Sequence, residues 1–490
     1  MDIFKRPFTI GAVCITVVSI LSYHFTEFSV LFILIALAVL VFCAVKIDKK
    51  YIFVLLVVFA SFINLILQYK AVLDVKNIDG KTVHGKFTIV SEPVKFDEYT
   101  RYNVKPINSK EIPNNTKYLF FDYTSTNVFM GDVVEAEIKL SSTDGKYRLY
   151  DYGNSVFGKA SVKKLDLTGE RNSIYKFAAN IRKFIKNKIS SNFDAECASL
   201  IMAITIGDTS NITDEFSMDI QAVGIGHILV VSGLHLSIIM SGVYSIIDRI
   251  FYNKYLRAVI SSIILFLICL VCGFAMSVIR AAVMFAIASF APVFNRNNDL
   301  ISSLMTSFCA ILAVTPFAIF NVSFQLSVLA TLAIIWTVPF YLKLTVKYFN
   351  ISSKKVISIL KIIYIPIFSM VFTLPVVSYI FGFVSVLAPI TNLLVTFAVT
   401  ALLALTAVAL ICSVIPILKL LTPVLFLLAS WCAKYIIFVV NTLAKLPITI
   451  AIFSDAIYLV SILLILFVII FMYIYEYSHN KKRSDFFVKL

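Results

Sequence analysis

Charge is what this chain has least of. Asp, Glu, Lys and Arg make up 14% of its 490 residues, against about 25% in an ordinary soluble protein. Acidic side chains are the scarcest, 28 against 43 basic ones. With 60% of residues hydrophobic and a mean hydropathy of +0.91, there is too little polar surface to cover a water-soluble globule. The chain is therefore an integral membrane protein, which excludes disorder, a collagen-like repeat, a secreted disulfide scaffold and a cytosolic enzyme. Histidine is nearly absent too: His24, His84, His227, His235 and His479 are all there are, too few for a multi-histidine metallohydrolase centre. No cysteine lies between Cys43 and Cys197, so that stretch holds no internal disulfide. Cys269 and Cys272 have C-x-x-C spacing but sit in an apolar run without a second pair, where thiols behave as small hydrophobes. No metal site and no cofactor are identifiable. There is no G-x-x-x-x-G-K-[ST] loop either, so any energy comes from another chain or an ion gradient.

What is present is length of apolar run. A hydrocarbon core about 30 Å thick needs roughly 17–25 apolar residues per helix. That criterion predicts about 12 spans, at 8–23, 28–45, 51–69, 227–248, 257–274, 276–293, 300–319, 323–342, 362–381, 385–414, 418–440 and 456–475. The first lacks a small-residue cleavage site and is followed at once by the second, so it reads as a retained helix. The stretch 197–223 is less apolar and reads as a short or re-entrant helix. With Lys5 and Arg6 inside, the loops at 46–50, 249–257, Arg296, 343–361, Lys419 and 481–483 also fall on the cytoplasmic side. Both termini are then cytoplasmic.

Between 71 and 170 the character changes. Alternating runs at Val83–Val90, Tyr118–Tyr123 and Val133–Leu140, with turn pairs at Asp79-Gly80 and Asp144-Gly145, predict strands. About 100 residues of short strands predict a small barrel or sandwich outside the bilayer. Residues 71–169 hold fourteen Lys/Arg and thirteen Asp/Glu, so this domain is no strongly basic nucleic-acid patch. The surplus of +15 is mostly membrane orientation and interface charge. From 174 to 191, Ile174, Phe177, Ala178, Ile181, Ile185 and Ile189 form an apolar stripe, with Lys176, Arg182, Lys183, Lys186 and Lys188 around it. This is an amphipathic helix, packed on its neighbours or lying in the headgroup plane. Its place between a soluble and a membrane domain favours the second. The chain thus divides into three N-terminal spans (1–70), a β domain (71–170), a basic helix (171–193), a membrane domain (194–475) and a basic tail (476–490).

Polar residues at bilayer depth are costly, and each is a functional candidate. The densest group is Gly207-Asp208 followed by His227 and Ser232-Gly233-Leu-His235. Ser232 and His235, three apart, would share a helix face, and Gly233 suits a broken helix or close backbone approach. A satisfied helix contact, a Ser/His intramembrane hydrolase or transferase, and the lining of a polar path remain open. The hydrolase would need a third group and an oxyanion hole. Arg280 either snorkels to the interface or faces a cavity, where its guanidinium would attract phosphate. Gln325 and Ser327 form a polar row, while Pro366, Pro375, Gly382, Pro389 and Asn392 are expected to interrupt two later spans.

These residues resemble a family. Gly207-Asp208 and the block His227-Ile-Leu-Val-Val-Ser232-Gly233-Leu-His235 are similar to the signature of the ComEC-type competence proteins, membrane channels that internalise DNA. Ser277-Val-Ile-Arg280-Ala-Ala-Val-Met284, Asn298-Asp299-Leu, Phe324-Gln325-Leu-Ser327 and Pro389-Ile-Thr-Asn392-Leu resemble further elements, and the likeness covers roughly 50–475. It implies a polytopic α-helical membrane channel for single-stranded DNA in the plasma membrane of a bacterium, with an inserted OB-like domain (an all-β, oligonucleotide-binding type of barrel) outside. Arg280 would contact phosphate. His227, Ser232, His235, Gln325 and Ser327 would line or gate the path, Asp208 would place a cation or orient a histidine, and Gly233 and Asn392 would shape broken helices. OB-like domains hold single strands by aromatic stacking beside basic residues. Phe87, Phe96, Tyr99, Tyr102, Tyr118, Phe120, Phe121, Tyr123, Tyr147, Tyr150 and Tyr152 could supply such platforms; core packing claims most of them, and Tyr147, Tyr150 and Tyr152 beside Lys146 and Arg148 are the best stacking candidates. Many relatives end in a metallo-β-lactamase-like domain that this chain lacks after its last span. The expected partners are therefore lipids, single-stranded DNA and other competence proteins, namely a DNA receptor, a separate nuclease and a cytoplasmic helicase or ATPase. A homo-oligomer is compatible with this reading, and no enzymatic activity of the chain itself is expected.

Overall fold

Apolar runs become helices here, and the polar stretch after residue 81 becomes strands. A computed structural model describes residues 7–24, 51–96, 98–109, 111–114, 116–124, 126–143, 148–171, 173–229, 231–446, 450–452 and 455–487. The expected span at 28–45 and the candidates Lys146 and Tyr147 lie outside them. Two helices come first, α1 (Pro7–His24) and α2 (Tyr51–Asn77). Six strands follow: β1 (Thr82–Ile89), β2 (Val94–Lys95), β3 (Thr100–Pro106), β4 (Lys117–Asp122), β5 (Asp132–Ser142) and β6 (Val156–Arg171), with α3 (Arg148–Gly153) before the last.

The sheet order is β1-β5-β6-β4-β3-β2, and β1 also pairs with β3, so five strands close into a barrel. Only the β4–β6 pairing is parallel. Alternation along the strands drives closure, because a period of two sends every second side chain inward. Tyr102, Val104, Tyr118 and Phe120 are thereby buried with Phe87, Val134 and Ile138. One polar group inside is satisfied, since the Tyr102 hydroxyl donates to Asp122 Oδ2 at 3.0 Å.

The basic helix α4 (Ser173–Ser190) leads into α5 (Ala195–Ile206), α6 (Asp214–Ala222), a 3-10 turn (Gly226–Ile228), α7 (Gly233–Ile250), α8 (Lys254–Val271), α9 (Met276–Phe290) and α10 (Leu300–Val314). After a second 3-10 turn (Pro316–Phe320), α11 (Val322–Leu332) runs through a π turn into α12 (Val338–Tyr348). The chain closes with α13 (Lys354–Phe381), β7 (Phe383–Ser385), α14 (Ala388–Val414), α15 (Thr422–Leu443), β8 (Ile450–Ile452) and α16 (Asp455–Phe487). Among the described residues, six helices are long and apolar enough to cross a membrane: Val54–Asn77, Lys254–Val271, Val322–Tyr348, Lys354–Phe381, Ala388–Val414 and Pro416–Leu443. Shorter apolar helices, including Ala195–Ile206 and Met276–Phe290, pack among them.

Several sequence expectations are corrected. The run 227–248 is not one helix: Leu229, Val231 and Ser232 are non-helical, and α7 starts only at Gly233. Pro366 and Pro375 do not interrupt their span, because α13 continues through both. Within a membrane bundle, neighbouring groups can re-satisfy the carbonyls a proline frees. Gly382 and Pro389 instead mark element ends, the first as a left-handed C-cap and the second in the opening turn of α14. Of the tyrosine candidates, Tyr150 and Tyr152 fall in α3. Tyr152 is buried there against Phe157 and Phe317, with ring centroids 5.6 Å away in both cases, and only Tyr150 faces outward. Arg148 opens the same helix.

That packing seats the barrel on the membrane domain. Phe317, from the turn after α10, completes the barrel's own core. Asn321 Nδ2 donates to Asn154 Oδ1 at 2.8 Å and to the Gly153 carbonyl at 3.3 Å. Gly153 has to lack a side chain, since a Cβ there would lie 2.6 Å from the Asn321 nitrogen. Gly153→Ala should therefore force the two backbones apart, at an overpacking cost of about 1–3 kcal/mol. A lower melting temperature of the detergent-solubilised protein, with faster proteolysis at 143–155, is the expected result.

Candidate functional site in the membrane domain

The break before α7 sets the geometry of the site. Ser232 is the N-cap of α7 in an extended conformation, and His235 at the third helical position turns back to it. The Ser232 backbone N–H donates to His235 Nδ1 at 3.3 Å. One orphan donor of the helix start is thus met by an imidazole. The pair expected to share a helix face is instead a cap and its partner, with His235 buried and Ser232 half-buried. A neutral imidazole bonded in this way presents Nε2–H, a donor.

Helix α9 holds the extended segment from the other side. Ser277 Oγ donates to the Val231 carbonyl at 2.8 Å. One turn on, Arg280 is only 5% exposed, so it does not snorkel to an interface. Its Nε donates to Ser327 Oγ at 2.9 Å, and a terminal nitrogen approaches Met284 Sδ at 3.2 Å. A Cβ on Gly233 would lie 2.8 Å from the other terminal nitrogen, so the glycine is what lets the guanidinium reach the start of α7. Among the described residues, no carboxylate forms an ion pair with Arg280. Its charge meets a hydroxyl, a thioether and the positive end of a helix dipole.

The remaining candidates spread around this centre. His227 is exposed in the 3-10 turn and lies within electrostatic reach of His235. Gln325 Nε2 donates to the Ile319 carbonyl at 2.7 Å, which ties it to the turn that seats the barrel. Asn392 is half-buried near the start of α14. Gly224 packs its backbone against Ala388 and Ser385 and so brings the start of α14 to the 226–235 segment. Among the described residues, no cluster of three or more His, Cys, Asp or Glu is placed to hold a metal.

Asp208 belongs to a second centre. It follows Gly207, the left-handed C-cap of α5, and its Oδ2 lies 2.7 Å from Lys186 Nζ. Its partner is thus a lysine of α4 rather than a histidine. Lys186 also meets Glu92 Oε1 at 2.7 Å, and Arg182 Nε meets Glu92 Oε2 at 2.6 Å. Arg182, read from the sequence as a polar-face decoration, is buried; it donates to the Ile206 carbonyl at 3.0 Å and the Val271 carbonyl at 2.6 Å. Four charges therefore join the barrel loop, the basic helix and the ends of α5 and α8. On the outer side of α4, Ile174, Phe177 and Phe184 stay exposed. Burial works against the Asp208 carboxylate, yet the bonds from Lys186 and Ser210 outweigh it and hold the group below its ordinary range. Sequence spacing could not single out Glu92 or its pairing with Arg182 and Lys186, because the partners lie about 90 residues apart.

These features define a class: a multi-pass helical membrane protein with a small β barrel seated on it and a polar, helix-broken interior. The chain belongs to the Competence protein family, whose sequence profile matches residues 204–477. It is similar to ComE operon protein 3 of Bacillus subtilis (strain 168), with 24% identity over 269 residues. That match spans 55% of this chain and 34% of the relative's length. No solved structure matches the chain.

The charge centre makes two predictions. Lys186→Met strands a buried carboxylate and should destabilise the protein by up to about 3–5 kcal/mol, whereas Lys186→Met combined with Asp208→Asn should cost less. The folded-state carboxyl of Asp208 titrates below its unfolded value of about 3.9. Its contribution is therefore present above that pH and is lost as pH falls through the folded value. Melting curves between neutral pH and pH 3 should show an acid-induced drop that Asp208→Asn makes smaller.

Proposed function

We propose that this chain conducts single-stranded DNA inward across the bacterial plasma membrane during natural transformation. The observation that carries the reading is Arg280, a buried guanidinium without a carboxylate, set against the N-terminus of α7 inside the family-matched domain. A cation so placed holds a site for an anion, and guanidinium geometry suits phosphate oxygens. His227, Ser232, His235, Gln325 and Ser327 would line or gate the path beside it. Gly233 and Asn392 would shape its broken helices, with the α7 dipole adding positive potential. Asp208 would anchor the outer mouth through Lys186.

The wider architecture in this proposal has about twelve spans, both termini in the cytoplasm and the barrel outside. An OB type is supported for the barrel by its five-strand closure and by the single parallel pairing of β4 with β6. A DNA receptor, a nuclease and a cytoplasmic helicase or ATPase would act with the chain. A hydrolase built on Ser232 and His235 draws no support from the geometry, since His235 Nδ1 already accepts a backbone N–H.

Uptake of labelled DNA by cells expressing Arg280→Ala at normal membrane levels tests the proposal. The expected fall is about tenfold or more, equivalent to a charge-assisted hydrogen bond of about 1.5–3 kcal/mol, with Arg280→Lys recovering part of it. Normal uptake by Arg280→Ala would remove Arg280 from the path and leave the channel reading without its main support.

A further inference from the structure

The basic helix α4 leads down into the membrane domain. Arg182, midway along it, bonds to the carbonyls of Ile206 and Val271, the last residues of α5 and α8. Further on, Ile189 shares a buried core with Cys197, Ala198 and Leu200, near the start of α5. The two helices therefore run antiparallel, as a hairpin that turns at 191–194. From Arg182 to Ser190 the chain travels about 12 Å, at 1.5 Å per residue.

The turn comes to rest beside α15, part of a span long and apolar enough to cross a membrane. Phe193 packs edge-on against Phe426 with centroids 5.3 Å apart, and Asp194 Oδ2 lies 3.7 Å from Lys434 Nζ. Lys434 stands about 18 Å from the first residue of α15 and about 14 Å from the last. In a hydrocarbon core about 30 Å thick that is near the midplane. Phe426 lies deeper still, toward the turn between α14 and α15. Yet the hairpin turn is polar and uncovered: Asn187, Ser190, Ser191, Asn192, Asp194 and Glu196 are all exposed. The Lys434 and Asp194 side chains are 62% and 53% exposed. Hydrocarbon solvates neither an open polar turn nor an exposed ion pair, and at this depth both persist where water reaches them. The boundary is close by, since Trp431 and Phe438, a turn to either side of Lys434, are exposed and apolar and suit lipid.

We infer that a water-filled vestibule enters the membrane domain from the side of the α7–α8 turn, opposite the barrel, and reaches the 190–194 turn and Lys434. The α4–α5 hairpin is then re-entrant. Helix α4 stands across the bilayer instead of lying in the headgroup plane, and its exposed Ile174, Phe177 and Phe184 face lipid. Between the vestibule and the barrel-side charge centre stands only the length of α5, about 18 Å. The vestibule deepens the DNA-transport proposal, on which its use rests. It shortens the stretch over which a hydrated phosphate chain would cross without bulk water.

The test places single cysteines in the full chain, as Asn187→Cys, Asn192→Cys and Lys434→Cys, in inverted and in right-side-out membrane vesicles. A membrane-impermeant sulfonated maleimide is added, and each labelled peptide is read by mass spectrometry, which keeps the native cysteines apart. Tyr252→Cys, on the α7–α8 turn, marks the side, and Leu463→Cys, on an exposed apolar face of α16, marks lipid. All three test positions should react on the same side as Tyr252→Cys. They should react at least about a hundredfold faster than Leu463→Cys, because hydrocarbon withholds the thiolate that attacks. Lys434→Cys also removes an ion pair, so the two asparagine variants carry the test if it does not fold. Labelling of both asparagine variants as slow as Leu463→Cys, or only from the barrel side, would overturn the inference. Labelling needs no DNA, so a failure of the channel proposal would leave its result standing.

Discussion

One buried junction of four charges ties the barrel loop to the basic helix and to the ends of α5 and α8. Arg182 alone satisfies carbonyls at the ends of two membrane helices and a carboxylate of the barrel. A guanidinium buried to this degree is costly unless its donors are met, and here Nε meets a carboxylate and one terminal nitrogen meets two carbonyls. Lys186 then bridges Glu92 to Asp208, so the segment leading to the family's polar block starts from a fixed point. The second anchor, the Gly153–Asn321 backbone contact, holds the barrel through α3. Two separated anchors resist rotation about either one, which is what a barrel needs to present one face reproducibly to the membrane domain.

Inside that domain the working principle is a helix broken on purpose. A non-helical stretch at bilayer depth exposes backbone groups that lipid cannot satisfy, so it survives only where protein supplies partners. Ser277 takes the Val231 carbonyl and His235 takes the Ser232 N–H. The polar side chains of the block are thus partly scaffold. Arg280 stands apart, since its own bonds to Ser327 and Met284 leave its charge uncompensated.

The barrel shows the same division between structure and surface. Tyr102, Tyr118 and Phe120 build its core, while Tyr99, Phe121 and Tyr123, one position away or just beyond the strand ends, fall outside. Strand periodicity separates the two sets. Which outward rings cluster depends on how β3 and β4 lie in register, a long-range pairing that local pattern does not contain.

The sequence by itself determined the membrane class, the position of the β insertion and the family, because hydropathy and local motif spacing are short-range properties. It also singled out Arg280, His235 and Gly233, since polar groups in an apolar run are conspicuous wherever they end up. Only the tertiary structure decided that the 227–248 run is broken, that Ser232 and His235 form a cap, and that Asp208 answers to Lys186. It also gathered Phe96, Tyr99, Phe121 and Tyr123 into one ring cluster on the barrel. Each of these depends on contacts between segments far apart in the chain, where burial and pairing, rather than local propensity, settle the lower free energy.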